Sequence, residues 1–227
     1  MTDAIRVAIA DDHPLVRAGL RQTIADDSAL TVVGEAADGD ETVALMRATE
    51  PDVLLLDITM PGAPFPGLLR QLRSAFPAVR VLVLTMHPED QFAVRAMKEG
   101  AAGYLTKQQA PREIIGAIMQ VAGGGKYLTP SMAERAAGAL DARAAWLPHE
   151  MISPREYEVL CMIGIGKSVK QIALDLGLSP KTVSTHRARM LRKMQLKTSA
   201  DLIRYAVQHG LTALVTVALW GYGVSQL

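Results

Sequence analysis

Several short apolar runs in the first half of the chain end in side chains that can take part in phosphate chemistry. The first run is followed by Asp11 and Asp12, and a later run is followed by Asp57. Of two further runs, one ends in Thr85 and the other leads to Lys107. Clustered carboxylates repel one another unless a cation neutralises them, and such oxygen ligands favour Mg²⁺. A bound metal makes an Asp oxygen a usable nucleophile towards phosphate. If the fold brings these residues together, we expect the lysine to pair with carboxylate or phosphate and the threonine to hydrogen-bond a phosphate oxygen.

The apolar periodicity predicts the elements that position these side chains. The predicted strands are Ile5–Ala10, Thr31–Ala36, Val53–Leu56, Arg80–Leu84 and Gly103–Thr106. The predicted helices are Pro14–Ala25, Asp40–Thr49, Gly67–Ala75, Asp90–Glu99 and Pro111–Ala122. Strands that alternate with helices in this way predict an α/β fold with a five-stranded, doubly wound parallel sheet. In such a sheet reactive groups collect at the carboxyl ends of the strands, where the polar residues lie.

The second half of the chain differs from the first in charge. Residues 1–120 contain 11 Lys/Arg and 16 Asp/Glu, a net charge of −5, whereas residues 121–227 contain 13 and 7, a net charge of +6. This asymmetry indicates that only the second half meets a polyanion. Between Pro180 and Lys197 there are six basic residues and no acid: Lys181, Arg187, Arg189, Arg192, Lys193 and Lys197.

Capping residues in the second half predict a small all-α domain of four helices. Ser153, Ser168, Ser179 and Thr198 each precede a helical pattern, and no strand pattern intervenes. The second predicted helix, the turn at Gly177 and the basic third helix have the arrangement of a helix-turn-helix. In that motif the second helix of the pair enters the major groove of double-stranded DNA. On charge alone, a solvated basic face remains the alternative.

Residues 3–122 resemble the receiver domain of two-component response regulators. The resemblance rests on Asp11-Asp12, on Asp57 within Leu54–Pro61, on Thr85 and Tyr104, and on Lys107 after Gly100–Leu105. It implies a flavodoxin-like receiver fold in which Asp57 accepts phosphate from a sensor histidine kinase. The implied Mg²⁺ ligands are Asp12, Asp57 and the backbone carbonyl of Thr59, with Asp11 assisting. The implied switch residues, which move on phosphorylation, are Thr85 and Tyr104.

Residues 151–210 resemble the LuxR-type DNA-binding domain. The matching segments are Ser153–Leu160, Lys170–Ala173 and Ser179–His186. Together with the receiver, they make the chain similar to response regulators of the NarL/FixJ class. The resemblance implies a transcription factor in which phosphorylation controls dimerisation and binding to promoter half-sites. It does not name the kinase, the operator, the regulated genes or the direction of regulation.

Phosphate contacts determine affinity for DNA, and base contacts determine which sequence is preferred. We therefore assign the residues of the basic helix to these two roles. The residues predicted near its leading end and exposed face are Lys181, Thr182, Ser184, Thr185 and Arg189. The best candidates for reading bases are Lys181, Ser184 and His186. The candidates for phosphate contacts are Arg187, Arg192 and Lys193. Val183 belongs to the apolar stripe and is predicted to lie in the core.

The predicted organisation is a receiver at 1–122, a linker with a helix at 123–150, the helix-turn-helix domain at 151–210 and an apolar tail at 211–227. We interpret the tail as packed or dimer-contacting; a membrane-associated or disordered end is the alternative. It is too short and too interrupted by glycine to span a bilayer. The lone Cys161 excludes an internal disulfide, and no signal peptide precedes the first strand, so a cytoplasmic location is expected.

Two alternative functions remain open. The loop at 62–67 is longer and richer in proline than the usual receiver pattern, and a receiver that no longer turns over phosphate would leave a constitutive DNA-binding scaffold. An aspartate-nucleophile phosphohydrolase is the other alternative. Such enzymes commonly carry an acid/base Asp two residues after the nucleophile, and here that position is Thr59. We therefore expect phosphoryl transfer to Asp57, with autodephosphorylation, but not a metabolic enzyme.

Overall fold

The structure is a computed structural model that describes residues 4–61, 65–86, 89–108, 111–130 and 147–211. The chain divides into two compact units, Met1–Ala144 and Ala145–Leu227. Three sequence-based predictions lie outside the described residues: the helix within 131–145, the part of the proline-rich loop at 62–64, and the apolar tail from residue 212 onward. No helix in the described part of the chain is both long and apolar enough to cross a membrane.

The first unit contains the predicted parallel sheet. Its strands are β1 (Ile5–Ala10), β2 (Leu30–Ala36), β3 (Val53–Leu56), β4 (Arg80–Thr85) and β5 (Gly103–Thr106). They are parallel and lie in the order β2-β1-β3-β4-β5. Three strands have the predicted bounds, and the other two are one residue longer. The inner strands β1 and β3 are almost entirely buried, which explains why they are continuous apolar runs rather than alternating ones.

Five helices of the first unit flank the sheet. They are α1 (Pro14–Ala25), α2 (Gly39–Thr49), α3 (Gly67–Ala75), α4 (Glu89–Lys98) and α5 (Pro111–Ala122). Buried side chains of α1 and α5, such as Ile24 and Ile118, pack against one face of the central strands, which is formed by Val7, Ile9 and Leu55 among others. Because successive strand side chains point to opposite faces, β1 and β3 also supply a second face, so the fold has three layers.

The second unit consists of helices whose starts follow the predicted caps. They are α6 (Pro154–Gly164), α7 (Val169–Asp175), α8 (Pro180–Lys193) and α9 (Ser199–Gln208). The side chains of Ser153, Ser168, Ser179 and Thr198 each accept a hydrogen bond from the backbone N–H three residues later. These bonds satisfy donors that the helix itself leaves open. The apolar stripe of the basic helix is buried, including Val183 as predicted.

The structure refines two boundaries that the sequence leaves to the linker. Tyr127 forms a bridge with Gly103, and its N–H donates to the Ala102 carbonyl at 3.0 Å, so the chain stays attached to the sheet beyond residue 122. On the other side, Pro148–Glu150 forms a 3₁₀ helix that carries the buried His149. The Nδ1 atom of His149 lies 2.7 Å from the Tyr205 hydroxyl of α9, which ties this turn to the helical unit.

Candidate functional site

The register of the sheet brings the acidic residues together at its carboxyl edge. Ala10 of β1 pairs with Leu56 of β3, and the N–H of Asp57 donates to the Ala10 carbonyl at 2.8 Å. Asp11 and Asp57 therefore leave neighbouring strands side by side. Two strands away, the N–H of Lys107 donates to the Thr85 carbonyl at 2.8 Å. The predicted convergence of strand ends is present in the structure.

Lys107 joins two buried carboxylates. Its Nζ atom lies 2.6 Å from Asp57 Oδ2 and 2.5 Å from Asp11 Oδ2, and its side chain is only 5% exposed. Burial by itself would lower the pKa of this ammonium group. The charges of Asp57 and Asp11, each hydrogen-bonded to it, outweigh that effect, and the pKa of Lys107 is raised above its ordinary value. The lysine therefore carries its full charge at neutral pH.

Asp57 is fixed by different partners on its two carboxylate oxygens. Oδ1 accepts from the N–H of Thr59 at 2.9 Å and from its hydroxyl at 2.7 Å, while Oδ2 faces Lys107. This double contact explains in physical terms why a hydroxyl residue, and not an acid, suits the position two residues after Asp57. The carbonyl of Thr59, predicted as a metal ligand, belongs to the same turn.

The residues that could hold a cation lie around the same point. Asp11, Asp12, His13 and Asp57 each offer one ligand atom, and these atoms all lie within 4.8 Å of one another. His13 was not among the residues predicted from the sequence. Its Nδ1 atom lies 2.8 Å from Asp12 Oδ1, and its N–H donates to Asp11 Oδ1 at 2.9 Å. Its position directly after the acidic pair is the signal that could have revealed it.

The two predicted switch residues are buried, and Thr85 is bonded through its carbonyl to Lys107 of the pocket. Thr85 ends β4 and is fully buried, and Tyr104 in β5 pairs with Val83 and is fully buried as well. Both side chains are therefore shielded from solvent, and their role as a switch pair stays a prediction.

The proline-rich loop ends in an aromatic contact that the sequence did not reveal. Phe65 is buried, and its ring meets that of Phe92 edge-on, with centroids 6.3 Å apart. The guanidinium of Arg95 lies 5.7 Å from the centre of the same ring. Because Phe92 and Arg95 belong to α4, Phe65 is packed directly against that helix.

The basic helix α8 presents one exposed cationic stripe. Lys181, Thr185, Arg189 and Arg192 lie at intervals of three or four residues, and all are exposed. Residues at this spacing share one face of a helix. The hydroxyl groups of Ser184 and Thr185 donate to the carbonyls of Pro180 and Lys181, which leaves their oxygen lone pairs as acceptors. The N–H of Thr182 donates a hydrogen bond to the hydroxyl of Ser179, the N-cap residue, and the two hydroxyl groups are also hydrogen-bonded to each other.

Of three other residues of α8 predicted to contact DNA, two bond to neighbours within the domain and the third is partly buried. Arg187 Nη1 donates to Ser199 Oγ at 3.3 Å. Lys193 Nζ lies 2.6 Å from the carboxylate of Glu156, whose side chain is 3% exposed. The ring of His186 is half-buried, and burial lowers its pKa below the ordinary value. Its buried Nδ1 atom has no hydrogen-bond partner among the described residues.

The two units match two known protein families. Residues 7–119 match the response regulator receiver domain, and residues 150–206 match the luxR family of bacterial regulatory proteins. Among curated proteins, the response regulator UvrY of Escherichia coli strain K12 is 36% identical over 215 residues. The match covers 94% of this chain and 99% of that protein.

Solved structures of one response regulator match most of the length of the chain. RcsB from Salmonella enterica serovar Typhimurium, bound to the promoter rprA with phosphomimetic BeF₃⁻, is 28% identical. The match has a TM-score of 0.55 and covers 88% of this chain and 97% of RcsB. A structure of two RcsB dimers on two parallel DNAs is 27% identical with a TM-score of 0.56, and its match covers 90% of this chain and 98% of that one.

Proposed function

This chain belongs to the response-regulator family, with a receiver domain and a LuxR-type regulatory domain, and we propose that phosphate on Asp57 controls its binding to promoter DNA. The observation that carries the proposal is the arrangement around Asp57. One carboxylate oxygen is held by Thr59 and the other by Lys107, within a cluster of buried acids. The phosphate donor proposed for it is a sensor histidine kinase, and the proposed location is the cytoplasm.

The donor set around Asp57 fits a Mg²⁺ ion. Three carboxylates share the pocket with a single ammonium group, so the acids of this cluster exceed the lysine by two negative charges. Oxygen ligands with excess negative charge are those that Mg²⁺ prefers. The proposed ligands are Asp12, Asp57 and the Thr59 carbonyl, with Asp11 assisting. When bound, the ion screens the charge of the nucleophile and of the incoming phosphoryl group.

The side chains of the chain itself hold the reacting group in place. Thr59 fixes one oxygen of Asp57 by two hydrogen bonds and so orients the carboxylate. The ammonium of Lys107 is placed to neutralise a new negative charge on Asp57, because it already contacts both buried acids. Thr85 ends the neighbouring strand, and we propose that its hydroxyl donates a hydrogen bond to a phosphate oxygen.

The proposed output is a change at α4, β5 and α5 that favours the DNA-binding form. Thr85 and Tyr104 are the proposed switch pair. Phe65, which follows the proline-rich part of the loop after Asp57, packs against Phe92 and Arg95 of α4. This contact joins the segment after Asp57 to α4, which supports α4 as an element that responds.

The proposed DNA contact is the exposed face of α8. RcsB was solved on a promoter and as dimers on DNA, and we propose the same class of ligand, double-stranded promoter DNA, for this chain. The proposed base-reading residues remain Lys181, Ser184 and His186, and the proposed phosphate contacts remain Arg187, Arg192 and Lys193. Thr182, Thr185 and Arg189 complete the proposed set.

A homodimer is proposed for the phosphorylated form. On α9, Ile203 is 39% exposed and Val207 58% exposed. They lie four residues apart and so form an apolar stripe on one face of that helix. A second copy that covers this stripe would present two basic helices to paired half-sites.

The test compares the full chain with Asp57→Asn. After incubation with acetyl phosphate and Mg²⁺, we expect the unmodified chain to gain the mass of one phosphate and the variant to gain none. We expect phosphorylation to raise the affinity of the unmodified chain for promoter DNA by about tenfold, a factor that typical coupling free energies between two sites produce. DNA affinity is measured by fluorescence anisotropy at fixed salt concentration, because phosphate contacts make it salt-dependent.

Other outcomes separate the alternatives. Continuous release of inorganic phosphate with no accumulated phosphate on Asp57 would indicate a phosphohydrolase, and failure to take up phosphate would indicate a constitutive scaffold. Equal DNA affinity with and without phosphate on Asp57 would overturn the switch. A Thr59→Ala variant serves as a matched control, since it keeps the nucleophile and removes one hydrogen bond to it. We expect it to take up phosphate more slowly.

A further inference from the structure

In the described part of the receiver, a second cavity lies at the opposite edge of the sheet from the acidic residues around Asp57. Its volume is about 190 Å³, and it lies beside the amino ends of β4 and β5, the opposite ends of strands that lead to Thr85 and Lys107. Its lining consists of three cationic residues and five small ones: Arg73, Arg80, Lys126, Gly100, Ala101, Ala102, Gly124 and Gly125. We propose that this cavity binds a small anion that carries a phosphate group.

The charge of the cavity wall is one-sided. Arg73, Arg80 and Lys126 line it, and no carboxylate does. Neither Arg80 nor Lys126 has an ion-pair partner among the residues that the structure describes. Glu99, the residue before Gly100, is paired with Arg70 at 3.0 Å. Asp52, whose carbonyl accepts the Arg80 N–H, receives a hydrogen bond on its carboxylate from the N–H of Arg6 at 2.8 Å. Three like charges around one concave space favour an anion at its centre.

Two glycines bring the arginine side chains close to the backbone. Gly100 and Gly124 have φ values of +98° and +88°, a conformation that other residues rarely adopt. A Cβ atom on Gly100 would lie 3.3 Å from Cγ and Nε of Arg73, and one on Gly124 would lie 3.5 Å from Nη2 of Arg80. The backbone thus leaves room for both guanidinium groups at the cavity wall.

Part of the wall is held in place by hydrogen bonds. Arg73 Nη1 donates to the carbonyls of Pro77 and Val79, which fixes its guanidinium. The side-chain amide of Gln120 donates to the Lys126 carbonyl at 2.7 Å, and the next residue of this loop is bonded to the sheet. A site that is ordered before binding loses less conformational entropy when the ligand arrives.

The chemistry of the wall favours phosphate over other anions. A guanidinium group offers parallel N–H donors that match two oxygens of a phosphate, and the dianion gains from several cations at once. The lining contains no aromatic side chain that could stack on a nucleobase. The cavity volume and the small lining residues therefore suit inorganic phosphate or a small phosphomonoester, which share the same charged group.

The test measures binding of inorganic phosphate and of glycerol 3-phosphate to the full chain by isothermal titration calorimetry. EDTA is present, so that metal-dependent binding at Asp57 does not contribute. The variants are Arg80→Gln and Lys126→Gln. The matched control is Arg47→Gln, which removes the same charge from an exposed arginine of α2 that does not line the cavity. Circular dichroism and phosphorylation by acetyl phosphate verify that each variant is folded.

We expect saturable binding at one site, weakened about tenfold by each of the two cavity variants and unchanged by the control, since each removes one charge-assisted contact. Tighter binding of one probe identifies whether the free ion or a phosphomonoester is preferred. The proposal is overturned if binding is not saturable, or if the control weakens it as much as Arg80→Gln does. If neither cavity variant changes the affinity, the anion binds elsewhere, such as on α8, and the proposal is also overturned.

Discussion

Two lysines of this chain make similar ion pairs in different surroundings. Lys107 in the receiver and Lys193 in the DNA-binding domain each have Nζ 2.6 Å from a buried carboxylate. The side chain of Lys107 is 5% exposed and lies between two acids, whereas that of Lys193 is 38% exposed and meets only Glu156. Distance alone would assign them the same role.

The surroundings separate the roles. The receiver pocket concentrates charge that the folded chain does not neutralise by itself, which is the condition for binding a cation and a phosphoryl group. In the DNA-binding domain the acid is already satisfied, because Glu156 also accepts from the N–H of Ser153 and caps α6. The ion pair there joins the end of α8 to the start of α6, and this contact orients the helix proposed to enter DNA.

The largest expected effect is on stability, with the same substitution made at both lysines. Lys107→Met leaves two buried carboxylates facing each other, and we expect the free energy of unfolding of the receiver to fall by about 3 kcal/mol. For Lys193→Met we expect a loss of about 1 kcal/mol in the helical domain, because Glu156 keeps its backbone donor and water reaches the site. Hydrogen–deuterium exchange of peptides from each unit measures both values.

Magnesium provides the control for this pair of variants. Adding Mg²⁺ should restore part of the stability lost in Lys107→Met, because the ion replaces one cation among the acids, and should leave Lys193→Met unchanged. Equal losses in the two variants would contradict the distinction between the two lysines.

The receiver pocket could be predicted from sequence because strand ends are local features. Asp11, Asp57 and Lys107 each follow a short apolar run, and parallel packing of such runs allows only one edge where they meet. The contacts of Phe65 were out of reach, because they depend on how a loop and α4 pack. His13 could have been predicted as well, because it directly follows Asp11 and Asp12 in the sequence.

The helical unit shows the same limit. Its helix starts could be predicted from Ser153 and the other caps, which act within three residues. The pairing of Lys193 with Glu156, 37 residues away, depends on the packing of two helices, and side-chain packing leaves no pattern in a single sequence. Charge counting therefore assigned Lys193 to DNA phosphate together with its exposed neighbours, and that assignment stays a prediction.

A double-mutant cycle decides between a positioning role and a phosphate contact for Lys193. If the ion pair positions α8, Lys193→Gln lowers DNA affinity several-fold, and adding Glu156→Gln restores most of it, because no buried charge is left unpaired. If Lys193 contacts phosphate, the double variant stays weak, and the slope of log affinity against log salt falls by about one in both variants. Fluorescence anisotropy over a range of salt concentrations gives both quantities.

The smallest effects are expected on the exposed stripe of α8, where no internal partner is lost. Arg192→Ala should weaken binding to all DNA sequences alike and reduce the salt slope by about one. Lys181→Ala, at the leading end, should instead reduce discrimination between sequences at one base position, by about 1 kcal/mol. Binding to a library of half-sites measures both. A uniform loss for Lys181→Ala together with altered base preference for Arg192→Ala would reverse the proposed division of this helix. That outcome would mean that the end of α8 nearest Lys193 reads the bases, and the ion pair with Glu156 would then orient the reading end rather than the backbone contact.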